Sequence, residues 1–460
     1  MLLRNESQTR FFLSEGDASG AFKNRTLRIV AGKQPARNFS EQIRIEELNY
    51  NPRHPSTSGI LEPIDVLLAD IAVSIQLSKT EHNKAVDRFE TMRDWIDRDA
   101  SPLHGLVRLM YPQGSMAIGA TIARVSDREE YDIDVIVDLD IPARSSPQAV
   151  LDTLHEAIRG EPGSRYYGKT IRHTRCVCVT YEDGMHIDLT PAVLSPQLTP
   201  RISTIFHSKP EDSHVQDHCL WANPWGLADW FKGMTPQEAD FARFFEERSL
   251  AHDSRKVVAK AAGEPVPQQE PAYRKSRALI ALQLIKRWRN VLFAKRDRAR
   301  MRRSPSVLLS KLIADNANRT RTLSEEVHYQ AQCLLDRLLT EKALGRLIYE
   351  VNPRCSDDVL TDRWPAASSD QDLMILDLED FVAKMGALRT GNLSLADMSK
   401  LLEGLFGERP ARSVVDDYVR RAQPGGNRVV PMTGRVVGIG SGLAAPAAAR
   451  TPPSHRFFGD

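Results

Sequence analysis

The chain has 460 residues, of which 41% are hydrophobic, so it can form about two or three domains with their own cores. Its 62 basic and 60 acidic residues give a formal net charge of +2, and the overall charge therefore does not select a nucleic-acid partner. No run of about 18 apolar residues predicts a membrane span, and no apolar segment near the N-terminus predicts a signal peptide. Because the five cysteines suggest no disulfide framework, we expect a cytoplasmic protein without a membrane partner.

The first predicted elements follow a polar extension. Residues 1–58 are polar and charged, and we interpret them as an irregular extension. Apolar residues then recur at helical spacing and predict two helices, at 64–75 and 86–96. A short apolar run at 106–111 predicts a strand that leads into a Gln-Gly-Ser turn.

The next predicted strands carry aspartates. Residues 131–139 alternate acidic and apolar side chains, so Asp132 and Asp134 face the same side of their strand. The elements that follow are a helix at 151–159 and a hairpin with strands at 175–181 and 185–190. The second hairpin strand carries Asp188, and pairing in a sheet can bring that side chain beside the first two aspartates.

The C-terminal half of the chain has an almost wholly helical pattern. Helices are predicted at 272–295, 306–316, 323–344, 371–389, 395–405 and 411–422. We therefore divide the chain after its extension into a mixed α/β domain at 59–222 and a helical lobe at 223–422. Residues 423–460 are rich in Gly, Pro, Ala and Arg, and this composition predicts a disordered tail.

Three aspartates, Asp132, Asp134 and Asp188, have the clearest chemical signature. Aspartates that alternate along a strand are, taken alone, most often a solvated sheet face. Here they follow a Gly-Ser turn in the order that a two-metal nucleotidyl-transfer site needs. Magnesium prefers oxygen ligands and keeps several waters, so a few carboxylates and substrate phosphates complete its coordination. We therefore predict that the three aspartates are catalytic and hold two Mg²⁺ ions, with Mn²⁺ as a substitute.

The turn before these strands is interpreted as a phosphate-binding turn. Glycine at position 114 lets the backbone approach a phosphate closely. Serine at the start of a helix offers a hydroxyl together with free backbone N–H groups. We therefore predict that Gln113, Gly114 and Ser115 bind the nucleotide.

These motifs resemble the nucleotidyltransferase superfamily that includes DNA polymerase β. Within it, they are most similar to the bacterial cGAS/DncV-like nucleotidyltransferases, the CD-NTases of antiphage CBASS operons. The resemblance rests on segments 113–121, 130–135 and 186–191, and it continues in 222–231, 284–289, 304–309, 352–353 and 362–364. It implies an α+β fold, in which a polymerase-β-like lobe with a mixed sheet packs on a helical C-terminal lobe. The active site would lie in the cleft between them.

The resemblance also implies further residues and partners. Lys286 and Ser306 would contact the donor triphosphate from the helical lobe, whereas the competing interpretation of Lys286 is a solvated lysine on a basic helix. The substrates would be ribonucleoside triphosphates, ATP among them, joined into a cyclic di- or trinucleotide with release of pyrophosphate. The product would activate an antiphage effector. A ubiquitin-transferase-like regulator would act through the C-terminal tail, although Asp460 follows Gly459 here.

Three other functions stay open from the sequence alone. The same core serves linear nucleotidyltransferases that modify RNA, a protein or a small molecule. The basic stretch 286–303 could belong to a non-catalytic nucleic-acid binder, but we favour a solvated helix end. An inactive nucleotide sensor is the third alternative, and the intact set of aspartates argues against it.

A zinc site built from His207, His214, His218 and Cys219 matches no standard ligand spacing.

Overall fold

The computed structural model describes residues 63–124, 131–195, 201–210, 217–243, 245, 275–298, 301–390, 393–422, 427–429 and 436–438. All of them belong to the larger of two compact units, Ile60–Asp460. The expected irregular extension at 1–58 lies outside the described residues. Within the described part of the chain, no helix has the length and apolar character needed to cross a bilayer.

A mixed sheet forms the N-terminal lobe. Its strands are β1 Val107–Pro112, β2 Tyr131–Leu139, β3 Thr170–Arg172, β4 Val177–Thr180, β5 Met185–Leu194, β6 Ser203–His207 and β7 His218–Ala222. The strand order is β1-β2-β5-β4-β3, and β6 pairs with the distal part of β5 and with β7. The β2–β5 pair is parallel, and the other pairs are antiparallel. The mixed sheet expected for the α+β fold is thus confirmed.

The two faces of the central strands have different environments because side chains alternate along a strand. On β2, Ile133, Val135 and Val137 are buried, and they pack with side chains of two helices in one apolar core. On β5, Met185, Ile187 and Leu189 are buried, whereas His186, Asp188 and Thr190 are partly exposed. The predicted faces of both strands therefore agree with the structure.

Helices account for most of the remaining described residues. They are α1 Pro63–Ser74, α2 Lys79–Ile96, α3 Gly114–Ala117, α4 Pro147–Arg159, α5 Pro224–Met234, α6 Arg277–Phe293, α7 Ser306–Asp315, α8 Leu323–Ala343, α9 Ser368–Thr390, α10 Leu395–Phe406 and α11 Glu408–Ala422. Two of them begin with a complete capping box, formed by Ser78 and Glu81 on α2 and by Thr322 and Glu325 on α8. These reciprocal bonds satisfy backbone N–H groups that a helix start otherwise leaves open.

The apolar side chains form two main cores. Helices α2 and α4 cover one face of the sheet. The second core surrounds α6, where the Trp288 ring lies 4.7 Å from that of Phe381. Helix α1 packs in this second core through Leu67, Leu68 and Ile71, although the sequence analysis grouped it with the catalytic domain. Helical periodicity shows which face of a helix is buried, but it does not identify the partner of that face.

A buried polar cluster lies where the sheet lobe passes into α5. The backbone N–H of Asn223 donates to Asp358 Oδ2 at 2.9 Å. The side chain of Asn352 donates to the carbonyl of Asn223 and to Asp358, both at 2.8 Å. The segments near 223 and 352, which belong to the family resemblance, thus meet in space.

Several short strands are absent from the sequence-based prediction. Strands β3, β6 and β7 are missing from it, as is a hairpin of β8 Val351–Asn352 and β9 Cys355–Val359. Strand β9 has the sequence Cys-Ser-Asp-Asp-Val, which lacks an alternating apolar pattern. In the segment expected to be disordered, β10 Asn427–Val429 pairs with β11 Val436–Gly438, and the rest of that segment lies outside the described residues.

Candidate active site

The three predicted aspartates lie on adjacent strands. In the parallel β2–β5 pair, Asp134 is directly opposite Asp188, and Asp132 is opposite His186. Residues directly opposite each other in a sheet point to the same face, so the three carboxylates share one face. Asp132 is exposed, while Asp134 and Asp188 are partly buried. The structure therefore brings these three side chains together on the face opposite the α2–α4 core.

The electrostatics show that the carboxylates influence one another. Burial, together with the nearby charges of Asp188 and Asp132, raises the pKa of Asp134 to about 7. The ammonium group of Lys286 acts in the opposite direction. A cluster of carboxylates that repel one another in this way is stabilised by a bound cation.

Gly114 brings the predicted phosphate-binding turn against Asp134. Its φ of +59° lies in the left-handed region that favours glycine. A Cβ at this position would overlap the Asp134 carboxylate. The preceding N–H of Gln113 donates to the carbonyl of Asp134 at 2.8 Å, which fixes the turn to β2. Glycine is thus required here both by the backbone conformation and by the approach to the carboxylate.

Ser115 lies in a closed loop that extends to Thr121. Its carbonyl accepts a hydrogen bond from the N–H of Ala120 at 2.8 Å, and its Oγ accepts one from Thr121 Oγ1 at 3.3 Å. The helix expected after this serine is a single turn, α3, of four residues. We call residues 114–121 the motif loop.

Lys286 contacts the motif loop from the helical lobe. It is only 6% exposed, and its Nζ donates to the carbonyl of Ala120 at 2.9 Å. Burial, together with the charge of Arg289, lowers the pKa of Lys286 to about 7, and Asp134 opposes the shift. The interpretation of Lys286 as a solvated lysine is therefore wrong.

The basic stretch at 286–303 divides into a buried part and an exposed part. Arg287 and Arg289 are each 3% exposed, and Arg287 donates to the carbonyl of Phe406 at 2.9 Å. The favoured interpretation as a solvated helix end is wrong for these two arginines and Lys286. It agrees with the exposure of Lys295 and Arg302.

Ser306 is the first residue of α7 and is held by Arg289. The Oγ of Ser306 accepts from Arg289 Nη2 at 2.9 Å, and Arg289 Nη1 donates to the carbonyl of Ser304. The sequence analysis did not assign Arg289 to the site. Its only signal was the spacing of Gln283, Lys286 and Arg289, three polar residues at intervals of three on a largely apolar helix.

The donor set at the aspartates suits a hard divalent cation. The three predicted ligands all offer carboxylate oxygens, which Mg²⁺ and Mn²⁺ accept. Among the residues that the structure describes, no group of three or more His, Cys, Asp or Glu side chains is arranged to hold a metal ion by itself. Substrate phosphates and water would therefore have to complete the coordination shell, as is usual for magnesium.

The histidines considered as a zinc site have other contacts. The rings of His207 and His218 stack with centroids 4.4 Å apart. Arg175 Nε donates to His207 Nδ1 at 3.0 Å, and burial together with Arg175 lowers the pKa of His207 to about 4. His214 lies outside the described residues. The contacts of His207 give no support to a zinc site.

Comparisons with known proteins identify related sequences. The Second Messenger Oligonucleotide or Dinucleotide Synthetase domain matches residues 65–209. The cyclic dinucleotide synthase CdnG of Bradyrhizobium diazoefficiens is 34% identical over 402 residues, which are 85% of this chain and 94% of that protein. The c-di-GMP synthase of Roseivirga ehrenbergii is 24% identical over 273 residues, 58% of this chain and 65% of that protein.

A solved structure extends the match to three dimensions. The structure of CdnG from B. diazoefficiens in complex with GTP has a TM-score of 0.66 and 33% sequence identity to this chain. The match covers 78% of this chain and 99% of that one. The expected combination of a mixed-sheet lobe and a helical lobe is confirmed by it. With this identity over nearly the whole length of its relative, the chain belongs to the bacterial cGAS/DncV-like nucleotidyltransferases, the CD-NTases, and is a nucleotidyltransferase.

Proposed function

We propose that this enzyme joins two or three ribonucleoside triphosphates into a cyclic oligonucleotide in a magnesium-dependent reaction. The observation that carries the proposal is the placement of Asp134 opposite Asp188, with Gly114 against the Asp134 carboxylate. This arrangement puts an acidic cluster beside the glycine-containing turn that we propose binds phosphate. Names of two relatives favour a cyclic dinucleotide over a trinucleotide and include guanine among the bases.

Each transfer would form one phosphodiester bond. A ribose hydroxyl oxygen bonds to the α-phosphorus of a second triphosphate, the bond to the bridging oxygen breaks, and pyrophosphate leaves. Bound magnesium would polarise the α-phosphate and neutralise charge on the pyrophosphate. A later transfer within the linear intermediate closes the ring.

The protein side chains would divide the remaining tasks. Asp188 would orient the attacking hydroxyl and accept its proton. Asp132 and Asp134 would hold the ions, and Gly114 and Ser115 would bind the donor phosphates with Gln113. Lys286 would contact the donor phosphates from the helical lobe, because its Nζ lies beside the motif loop. ATP and GTP are both proposed substrates.

We extend the proposal to the biological role on the basis of family membership. The cyclic product would be a second messenger that activates an antiphage effector, as the CBASS resemblance implies. A ubiquitin-transferase-like regulator acting on the C-terminal tail is proposed on the same basis. Nucleic acid stays an open alternative as a partner: Lys286, Arg287 and Arg289 are buried in the fold, whereas Lys295 and Arg302 of the same basic stretch are exposed.

The test is a comparison of matched variants in the presence of labelled triphosphates and Mg²⁺. Asp132→Asn combined with Asp134→Asn removes two charges and should abolish product formation. Asp140→Asn removes the charge of an exposed aspartate immediately after β2 and should leave turnover unchanged. Undiminished product from the double variant would overturn the assignment. A linear product from the unmodified protein would instead support the linear nucleotidyltransferase.

A further inference from the structure

Helix α6 has three buried polar side chains at intervals of three. Gln283 is 0% exposed, Lys286 is 6% exposed and Arg289 is 3% exposed. Residues three apart on a helix are neighbours on its surface, so the three side chains form a continuous row. We call Gln283, Lys286 and Arg289 the polar row. Gln283 and Lys286 contact the motif loop, and Arg289 contacts the start of α7.

Gln283 joins the motif loop to two helices. Its Nε2 donates to the carbonyl of Thr121 at 2.9 Å. Its Oε1 accepts from Gln76 Nε2 at 2.9 Å, and Gln76 Nε2 also donates to the carbonyl of Ala72 in α1 at 2.7 Å. The end of the motif loop is therefore held by α6 and α1 together.

Arg289 joins α6 to the start of α7. Its two terminal nitrogens bond to the Ser304 carbonyl and the Ser306 hydroxyl. Its Nε is buried and has no hydrogen-bond partner among the described residues. No carboxylate of the residues that the structure describes lies within ion-pair distance of Arg289. A buried guanidinium without a carboxylate is costly to retain for packing alone.

We infer that Gln283 and Arg289 are positioning residues for nucleotidyl transfer, Gln283 acting through the motif loop and Arg289 acting through Ser306. Lys286, which bonds to Ala120, lies between them on the same helix. The polar row thus fixes the spacing between the turn that follows β1 and the first residue of α7. This inference rests on the proposed function, in which these two elements contact the same triphosphate.

A double-mutant cycle tests the role of Arg289. Arg289→Lys keeps a positive charge but cannot bond to Ser304 and Ser306 with one planar group. We expect it to raise KM for GTP and to weaken binding of a non-reactive GTP analogue about tenfold. In the Ser306→Ala protein, Arg289→Lys should change the KM for GTP and the dissociation constant of the analogue less than about twofold. The reason is that the Ser306 hydroxyl, which Arg289 positions, is absent from this protein. Equal losses in both backgrounds would overturn the inference.

Matched controls separate positioning from packing. Arg302→Lys alters an exposed arginine and should leave KM unchanged. Gln283→Met removes the bond to Thr121 and should lower kcat/KM about tenfold. Gln330→Met removes another fully buried glutamine, which bonds to Glu326 within α8, and should lower the thermal midpoint without changing kcat/KM. Equal losses of kcat/KM in the two glutamine variants would contradict positioning by Gln283.

Measurement of analogue binding distinguishes failure of the inference from failure of the proposed function. If the unmodified protein bound the analogue but formed no product from triphosphates, the proposed function would be wrong. The dissociation constants of the analogue would still show whether Arg289 acts through Ser306. Additive effects on those constants would contradict the inference even if the enzyme made a cyclic product.

Discussion

Gly114 lies against the carboxylate of Asp134, with a φ of +59° that favours glycine. Gly114 lies in the turn after β1, and Asp134 lies on β2 directly opposite Asp188 of β5. Gly114 therefore determines how closely the turn that we propose binds phosphate can approach the acidic cluster. No larger side chain fits this position without displacement of the turn or the carboxylate.

Substitution of this glycine should damage activity more than folding. We expect Gly114→Ala to lower kcat/KM about a hundredfold, because a shift of the turn by about 1 Å misplaces the donor phosphates. Gly119→Ala is the matched control, since Gly119 has a φ of +71° in the same loop and its added Cβ would meet only Leu279 at 3.9 Å. Both variants should lose thermal stability from the left-handed backbone, and Gly114→Ala should lose more because its Cβ would overlap the Asp134 carboxylate. Comparable activity in the two variants would contradict this role of Gly114.

Removal of the Lys286 charge should separate activity from stability. We expect Lys286→Met to lower kcat/KM at least about tenfold, because the contact that we propose between Lys286 and the donor phosphates would be lost. The thermal midpoint should be unchanged or higher, since burial of an ammonium group is costly. Lys295→Met, at an exposed position of the same basic stretch, should alter neither quantity. A loss of stability that parallels the loss of activity would indicate a structural role only.

Metal removal should abolish turnover reversibly. With the three aspartates as all-oxygen ligands, a chelator in excess should stop product formation, and added Mg²⁺ or Mn²⁺ should restore it. Added Zn²⁺, which favours nitrogen and sulfur ligands, should restore much less. The thermal midpoint of the chelated protein serves as the control for unfolding. Turnover that persists in the chelator would refute metal dependence.

The pH dependence of stability should contain a contribution from Asp65. This residue is 1% exposed on α1, its Oδ1 accepts from the N–H of Ser324 at 2.7 Å, and burial raises the pKa of its carboxyl. Between pH 3.8 and the raised pKa, the carboxyl of Asp65 is therefore protonated in the native state and ionised in the unfolded state. The free energy of unfolding falls as pH rises from the ordinary value of 3.8 through the raised pKa.

Asp65→Asn should remove this contribution. An amide oxygen can still accept from Ser324 and carries no charge, so the variant should be more stable than the unmodified protein at neutral pH. The difference should disappear below about pH 3.8, where the carboxyl is protonated in both states. Asp94→Asn, at an exposed position on α2, should show no such difference. An unchanged pH profile of the thermal midpoint in Asp65→Asn would contradict the argument.

The sequence was sufficient to predict most long elements and the face of each aspartate, because strong periodicity reports burial directly. It could not show by itself that β5 lies next to β2, since pairing between distant strands leaves no local pattern. The order of the Gly-Ser turn and the two aspartate-bearing strands led us to expect that Asp188 lies beside the first two aspartates. The strands β6 to β9 are short, and the polar residues of β9 give no alternation, so they were missed.

The helical side of the site was harder to predict for a different reason. Lys286, Arg287 and Arg289 begin a run of basic residues that has the composition of a solvated helix end. Their burial depends on carbonyls and hydroxyls from residues far apart in sequence, such as Ala120 and Ser306. Only the three-dimensional arrangement reveals these partners.

We propose above all that this enzyme joins nucleotides into a ring at the site formed by Asp132, Asp134 and Asp188. Its most direct test is mass spectrometry of the products formed from an equal mixture of ATP, GTP, CTP and UTP with Mg²⁺. We predict a cyclic oligonucleotide that lacks terminal phosphates, with one pyrophosphate released for each bond, and none from Asp188→Asn. A product that keeps a 5′-triphosphate, or an unchanged yield from Asp188→Asn, would contradict the claim.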